Sequence, residues 1–266
     1  MNTTSSPPLP TSANPDAQAP LGGVSTPAFS PLYQQIKTLI LQSLQEGEWK
    51  PGDLIPSELE LAARYRVSQG TVRKAIDELS AENLLVRRQG KGTFVATHNE
   101  KHIQYRFLRL QPDEGNRDSE GPAERRVLEC RQLRGPSDIA RALGLRTGEP
   151  VLEVKRVLSF QNVPTILEDI WLPGNAFKDL TLQTLAEHQG PMYALFETQF
   201  GVRMVRAEEK LKAVGADEAT AERLGVPTGF PLLSVERIAY TYNDVPMEFR
   251  RGLYRTDLHH YRNTLS

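Results

Sequence analysis

The sequence predicts an α+β chain of two folded domains in tandem, and three observations predict it. Between Ser30 and about Thr97, three short helical periodicities are followed by a compact hairpin pattern. From Ala140 onward, a unit of short helix, glycine–proline turn and long alternating strand recurs, starting again at Ala221. A head rich in Pro, Ser, Thr and Ala precedes both. The 266 residues suit one or two domains, and 39% hydrophobic with 24% charged residues is enough to fill sizeable cores. A net charge of -1 means that any surface for a polyanion has to come from local segregation of charge.

Several classes are excluded first. No apolar run approaches the roughly 20 residues a membrane helix needs. Residues 1–29 have neither the basic start nor the apolar stretch of a signal peptide. With Pro7, Pro8, Pro10, Pro15, Pro20 and Pro27 they read as a disordered tail, too poor in apolar surface to offset its ordering entropy. Cys130 is the only cysteine, so no intramolecular disulfide forms. It suits a reducing cytoplasm and reads as a small buried apolar residue.

The first domain spans residues 30–98. Ser30 and Pro31 open a helix as N-cap and first-turn proline. Leu32, Ile36, Leu39, Ile40 and Leu44 give it one apolar face, and Gly47 closes it. After the Pro51-Gly52 turn, Ser57 and Glu60 form a capping box for a short helix through Leu61, Ala62 and Tyr65. Ser68 caps a third helix with Val72, Ala75, Ile76 and Leu79 inward and Gln69, Arg73 and Lys74 outward. Asn83 takes the left-handed C-terminal position. Leu84–Arg88 and Thr93–Ala96 then flank Gln89-Gly90-Lys91-Gly92, a β-hairpin with a glycine-bearing tip. Three helices and a hairpin make a winged helix-turn-helix.

Charge gives this domain a task. Arg64, Arg66, Arg73 and Lys74 lie in a stretch without acids, as do Arg87, Arg88 and Lys91. Acids gather at Glu46, Glu48 and Asp53, and at Asp77, Glu78 and Glu82. The start of the third helix and the hairpin tip are therefore basic together, as binding a phosphate backbone requires.

Beyond a linker at residues 99–122, His102 to Leu110 reads as a strand and Gln111 to Pro122 as a polar loop. The second domain spans residues 123–262. In its repeat, Ala140, Leu143-Gly144-Leu145, Thr147-Gly148, Pro150, Leu152, Val154 and Arg156 match Ala221, Leu224-Gly225-Val226, Thr228-Gly229, Pro231, Leu233, Val235 and Arg237. Each strand turns, at Gln161-Asn162-Val163 or Asn243-Asp244, into a strand that returns from Pro164 or Val245, so the sheet is predicted to be largely antiparallel. Thr184 to Phe200 supplies a helical segment between the halves, ending at Gly201.

Pro31-Leu32-Tyr33-Gln34-Gln35-Ile36, Pro51-Gly52-Asp53, Pro56-Ser57-Glu58, Val67-Ser68, Thr71-Val72-Arg73-Lys74-Ala75 and Gly90-Lys91-Gly92-Thr93-Phe94-Val95 resemble the DNA-binding domain of the GntR family. The resemblance implies a homodimer on a pseudo-palindromic double-stranded DNA operator, with the third helix in the major groove and the wing along the minor groove. Carried over, the contacts fall on Ser68, Gln69, Thr71, Arg73, Gln89, Gly90 and Lys91, with Arg64 in the adjoining basic stretch. Leu59 and Gln69 depart from the family pattern, each standing where an arginine is common. Glutamine suits adenine where arginine reads guanine, so the departure at Gln69 alters the expected operator.

The second domain resembles the UTRA effector-binding domain of the HutC branch of that family. The residues are Leu143-Gly144, Gly148-Glu149-Pro150, Glu168, Trp171-Leu172-Pro173, Tyr193, Phe200-Gly201-Val202, Ala207, Leu224-Gly225-Val226-Pro227, Pro246, Glu248, Tyr254-Arg255 and Asp257. The resemblance implies a fold like that of chorismate lyase and an effector pocket at Arg156, Glu168, Tyr193, Glu248 and Tyr254. Core packing for the two tyrosines and an arginine pair in the sheet for Glu168 are the alternatives. Because of the enzyme-like fold, Glu168 and Glu248 could also be an acid/base pair, with Arg156 and Arg237 clamping an anion. Against catalysis, no nucleophile motif, metal-ligand cluster or phosphate-binding glycine loop is present. His98, His102, His188, His259 and His260 lack metal spacing, and neither metal nor cofactor is expected. A DNA-binder without an effector would leave the second domain's inward charges unused. The reading is therefore a regulator, a repressor by type, and not an enzyme.

In relatives that bind sugar phosphates, a second arginine stands two residues after the first, and a Ser-Leu-Tyr run opens the middle helix. Leu158 and Pro191-Met192-Tyr193 stand there in this chain. The expectation is an effector without phosphate, with one anionic end for Arg156 and donors for the two glutamates.

Overall fold

The computed structural model describes residues 30–97, 108–115 and 121–263. The tail expected at residues 1–29, and His102 with most of its expected strand, lie outside them. Both folded domains belong to one compact unit, Leu32–Ser266.

The helices and hairpin of the first domain form where capping and periodicity put them. They are α1 (Leu32–Gln45), α2 (Glu58–Tyr65), α3 (Gln69–Ala81), β1 (Leu85–Arg88) and β2 (Gly92–Val95). At the start of α2, the Ser57 side chain accepts from the Glu60 amide while the Glu60 carboxylate accepts from the Ser57 amide. Ser68 accepts from the Thr71 amide at the start of α3, and Asn83 takes a positive φ of 57° just past its end. Ile36, Ile40 and Leu44 meet Leu61, Val72, Ile76 and Leu79 in the core. Leu32 and Leu39, expected on the same face, stay 50% and 41% exposed. They sit at the margin of a stripe whose centre is Ile36 and Ile40.

The second domain is built on a six-stranded antiparallel sheet in the order β4-β5-β6-β9-β8-β7. Its strands are β4 (Glu124–Arg134), β5 (Pro150–Phe160), β6 (Val163–Pro173), β7 (Arg206–Gly215), β8 (Pro231–Tyr240) and β9 (Pro246–Arg255). The two copies of the repeat become the hairpins β5–β6 and β8–β9, which meet at the β6–β9 pairing in the middle. Gln161 and Asn162, both at positive φ, form the two-residue turn between Phe160 and Val163. Asn243 and Asp244, also at positive φ, lie in the corresponding turn.

Side chains alternate between the sheet faces. One face is covered by the helices of the repeat, α4 (Ser137–Ala142) and α7 (Glu218–Leu224). Ile139 and Leu143 pack on Val151, Trp171 and Phe249, and Ala221 and Leu224 on Leu232. The other face carries α5 (Leu182–Glu187) and α6 (Met192–Phe200) over Leu152, Val154, Ile170 and Leu172. A short antiparallel pair, β3 (Leu110–Pro112) and β10 (His259–Tyr261), adds Leu110 and Tyr261 to a cluster at the far end of that face.

One helical segment was expected over Thr184–Phe200, and two helices form. Pro191 disfavours helical backbone at the residue before it, and Gly190 adopts a φ of 133°. The resulting break sets the start of α6 as a separate structural end, which matters for the site below.

Candidate functional site

On the first domain, the basic residues predicted to face DNA come together with an acid that linear inspection of the sequence does not bring to them. Glu58, at the start of α2, accepts from Gln69 Nε2 at 3.1 Å, Arg73 Nε at 3.0 Å and Arg87 Nη1 at 2.9 Å. Arg73's hydrogen bond pulls the Glu58 carboxyl below the usual carboxylate range, against the opposing effect of burial. Arg87 also reaches Asp77 at 2.8 Å. The acid-free stretches of sequence are thus not acid-free in space, because α2 packs against α3 and inserts its first residue between them. Arg64 is tied to both oxygens of Glu48 and lies over the Trp49 and Tyr65 rings. Ser68 and Thr71 share a hydroxyl–hydroxyl bond of 2.9 Å within the helix cap. Gln69, Arg73, Gln89, Gly90 and Lys91 are all exposed, and a groove runs between the start of α2 and the wing. Lys91 donates its amide to the Arg88 carbonyl at 2.9 Å, closing the tip.

On the second domain, charged side chains from β5, β6, β8 and β9 converge on the face under α6. Arg156 and Glu168 are direct cross-strand partners, joined at 2.6 Å. Arg250 bridges the carboxylates of Glu168 and Glu248, at 2.8 Å to each. Tyr193, from the first turn of α6, donates to Glu248 at 2.8 Å, and the Tyr254 hydroxyl stands 3.4 Å from Glu168. Gly252 lies opposite Glu168 in the register. A methyl group there would meet the Tyr254 ring at 2.4 Å, so the missing side chain is what admits the ring. Arg237 is held by Glu209, 2.7 Å from its Nε.

Glu168 and Glu248 have no exposure to solvent. Burial alone would raise the Glu168 carboxyl. The Arg156 and Arg250 charges more than reverse this and hold it at about 2. Burial also opposes the Arg250 charge, and the two glutamates overcome it. Burial, reinforced by Glu248, raises the Tyr193 hydroxyl, which stays protonated as a donor.

Beside this network lies a cavity of about 490 Å³. Arg125, Arg156, Arg237 and Arg250 contribute to its wall, with Met192 and Tyr193 from the start of α6. Of the five residues predicted for an effector pocket, Arg156 and Tyr193 line it, and Glu168, Glu248 and Tyr254 stand behind the lining. The expectation that the glutamates meet donors on a ligand does not fit this placement, because Arg156, Arg250 and Tyr193 already occupy their oxygens. The sequence reading missed Arg125 and Arg250. Their only signal was alternation within β4 and β9, since neither lies in a motif. Cys130 is half-buried, its thiol 3.8 Å from the Leu180 carbonyl. His259 is buried and His260 exposed beside Asp113, alternating as strand neighbours do.

The model of the bacterial regulatory proteins of the gntR family matches residues 32–95, and that of the UTRA domain matches residues 121–260. The chain belongs to the GntR family. Among curated GntR relatives, the probable fructoselysine utilization operon transcriptional repressor of Escherichia coli is 27% identical over 81% of this chain and 87% of its own length. The probable transcriptional regulator PhnF of Escherichia coli is 30% identical over 85% and 92%. A crystal structure assigned as the ligand-binding domain of a GntR-family regulator from Bordetella bronchiseptica is 57% identical. It covers 61% of this chain and 99% of its own, with a TM-score of 0.58. This GntR protein is accordingly a DNA-binding transcription regulator with a UTRA effector-binding domain, and not an enzyme. Among the described residues no helix is long and apolar enough to cross a membrane.

Two outcomes follow from these geometries. Arg73→Ala should cost roughly 1–3 kcal/mol of operator affinity, and Lys91→Ala should weaken all DNA sequences alike and flatten the salt dependence. Titrations of specific and random duplexes at several salt concentrations check both, and wild-type binding by both variants would refute the contact assignment. For Glu168 the folded-state value lies below the ordinary 4.5, so its stabilisation is complete above about pH 4.5. It should drain away as pH falls from there towards 2, by on the order of 3 kcal/mol. Urea unfolding across that range should show this loss in the wild type. Glu168→Gln should lack it and be less stable at pH 7 by roughly 3–5 kcal/mol, its two arginines having lost a charge partner.

Proposed function

We propose that the chain works in the cytoplasm as a homodimer whose two winged helices hold a pseudo-palindromic operator. In this reading α3 enters the major groove through Gln69 and Arg73, and the wing tip at Gln89, Gly90 and Lys91 follows the minor groove. The DNA-binding domain is residues 30–98 and the effector domain residues 123–262. A small molecule occupies the cavity against Arg156 and Tyr193 and changes the grip on DNA. A volume of about 490 Å³ falls within the range of small-molecule sites. Glu168, Glu248 and Tyr254 act from behind the wall by fixing its arginines.

The observation that carries this reading is Arg203. It follows α6, is 3% exposed, and donates to the Asn83 carbonyl at 2.8 Å and the Leu84 carbonyl at 3.1 Å. Asn83 and Leu84 join the end of α3 to the wing. Arg203 also pairs with Glu197 of α6 at 3.4 Å and donates to the Tyr242 hydroxyl at 3.3 Å. One nine-residue helix therefore has ligand-facing residues at its start and, near its end, a clasp on the exit of the recognition helix. A ligand that shifts the start of α6 has a packed, hydrogen-bonded route to the DNA-reading surface. Such coupling is reciprocal, so operator DNA should alter ligand affinity by the same factor.

Arg203→Lys keeps the charge beside Glu197 and loses the planar fork on the two carbonyls. With a metabolite that stabilises the wild type in a thermal-shift screen, this variant should still bind ligand and operator while the effect of one on the other shrinks severalfold. An undiminished effect would remove Arg203 from the route. The dimer is tested separately. A two-fold operator calls for a two-fold protein, and one winged helix buries little DNA surface. In sedimentation the full chain should be dimeric. A fragment ending at Thr97 should be monomeric and bind operator weakly, and a tight, dimeric fragment would contradict the arrangement.

A further inference from the structure

One guanidinium in the cavity wall has no counterpart in the motif-based expectation. Arg125 lies near the start of β4, and the register places it directly across from Leu158 on β5. Arg156 lies two residues before Leu158 on the same strand. Cross-strand partners and residues two apart share a face, so Arg125 and Arg156 flank one patch of the cavity. The spot that Leu158 leaves without a donor is reached from the neighbouring strand.

The partners of these arginines differ. Arg156 is paired with Glu168, Arg237 with Glu209, and Arg250 with Glu168 and Glu248. Among the described residues no carboxylate pairs with Arg125. Its Nη2 donates to the His188 carbonyl at 2.8 Å and the Gly190 carbonyl at 3.0 Å. Those carbonyls lie in the break before α6, and they anchor the guanidinium while its Nε and Nη1 take no protein partner among the described residues. Burial first, and then the Arg156 charge, push this guanidinium down to about 10. A charge held under such conditions is relieved by an anion. The first turn of α6 lines the same cavity, and Pro191 offers it no side-chain cap, so the positive end of a helix dipole faces this space.

We infer that Arg125 is the principal anion-binding residue of the cavity, and that the effector carries a carboxylate or phosphate seated between Arg125, Arg156 and the start of α6. This rests on the cavity being the effector site. It removes the ground for excluding phosphate, since the second guanidinium missing at position 158 is supplied by position 125. It also leaves Glu168 and Glu248 no donors on the ligand to meet.

The test uses the full chain at fixed ionic strength, with inorganic phosphate and gluconate as probes and chloride as the reference. Melting temperature and calorimetric binding are read for the wild type, Arg125→Met, Arg125→Lys and Arg131→Gln. Arg131 lies on the same strand, half exposed and outside the cavity. Phosphate or gluconate should stabilise the wild type by a few degrees, about 2–6 °C. Arg131→Gln should retain the shift, Arg125→Lys should keep part of it, and Arg125→Met should bind at least about tenfold more weakly. Which probe acts tells a phosphate from a carboxylate. Equal shifts in Arg125→Met and wild type, or a wild type indifferent to both probes, would overturn the inference. Ala123→Trp, which fills the cavity, separates the two levels of the claim. If a neutral metabolite stabilises the wild type but not Ala123→Trp while neither anion acts, only the anion assignment falls. If Ala123→Trp responds to every ligand as the wild type does, the cavity is not the effector site and both readings fall.

Discussion

The second domain depends on one arrangement, the Arg250 guanidinium held between the buried carboxylates of Glu168 and Glu248. Two charges without exposure to water would each cost several kcal/mol if left alone. Arg250 serves both, Arg156 takes the remaining side of Glu168, and Tyr193 takes the remaining side of Glu248. Because β6 and β9 are where the two halves of the repeat meet, this cluster also fixes their register. A slip by one residue would turn Glu168 and Arg250 to the opposite face and leave α4 and α7 packed against charge. The arginine wall of the cavity is a by-product of that constraint. Its guanidiniums are aligned before any ligand arrives, so binding need not include the cost of ordering them.

The legible and illegible parts of this structure divide along a physical line. Ser57, Glu60, Ser68, Asn83 and the Gln89–Gly92 tip act within a few residues of themselves, and the sequence shows where each helix of the first domain begins and the wing turns. The repeat shows the two hairpins for the same reason. Long-range partners are another matter. Glu58 precedes Arg87 by 29 residues and reaches it only once α2 has packed on α3. Arg125 meets Leu158 only through the register of β4 on β5. Glu168 could be named from its motif, but its task depended on Arg250, 82 residues away. Residue types at motif positions marked the region of the site, and pairing across strands decided which of them face the cavity.

The DNA-facing surface shows the same difference between linear and spatial charge. Glu58 engages donors from Gln69, Arg73 and Arg87, the last of which also reaches Asp77. If DNA is read here as proposed, it would have to displace or share those bonds, which would lower affinity for arbitrary sequence, where phosphate contacts are all there is. In that reading, a matching base edge for Gln69 would compensate the exchange with contacts that a mismatched site cannot offer. The acid also restrains the rotamers of Gln69 and Arg73 before binding, which reduces the entropy lost when they engage. On the proposed reading, the Glu58 carboxylate would shift the balance at this surface from grip towards discrimination.

In the proposed function the cavity is joined to the first domain through α6, and the burial of this helix bears on that role. Met192 to Phe200 has buried residues around most of its girth, with Tyr193, Leu195, Phe196 and Glu197 all enclosed. Such a helix cannot roll without repacking against Phe177 and Leu185 in the cluster it joins. Its ends are tied as well: the Gly201 amide donates to the Phe196 carbonyl, and the His188 and Gly190 carbonyls before its start accept from Arg125. The helix runs from the cavity, where Tyr193 donates to Glu248, to the clasp, where Glu197 meets Arg203. The polar contacts at both ends are buried, so a displacement at either end would cost a hydrogen bond that water cannot replace. Under the proposed function, this run of buried contacts is the path by which a ligand at the start of α6 would reach the exit of the recognition helix.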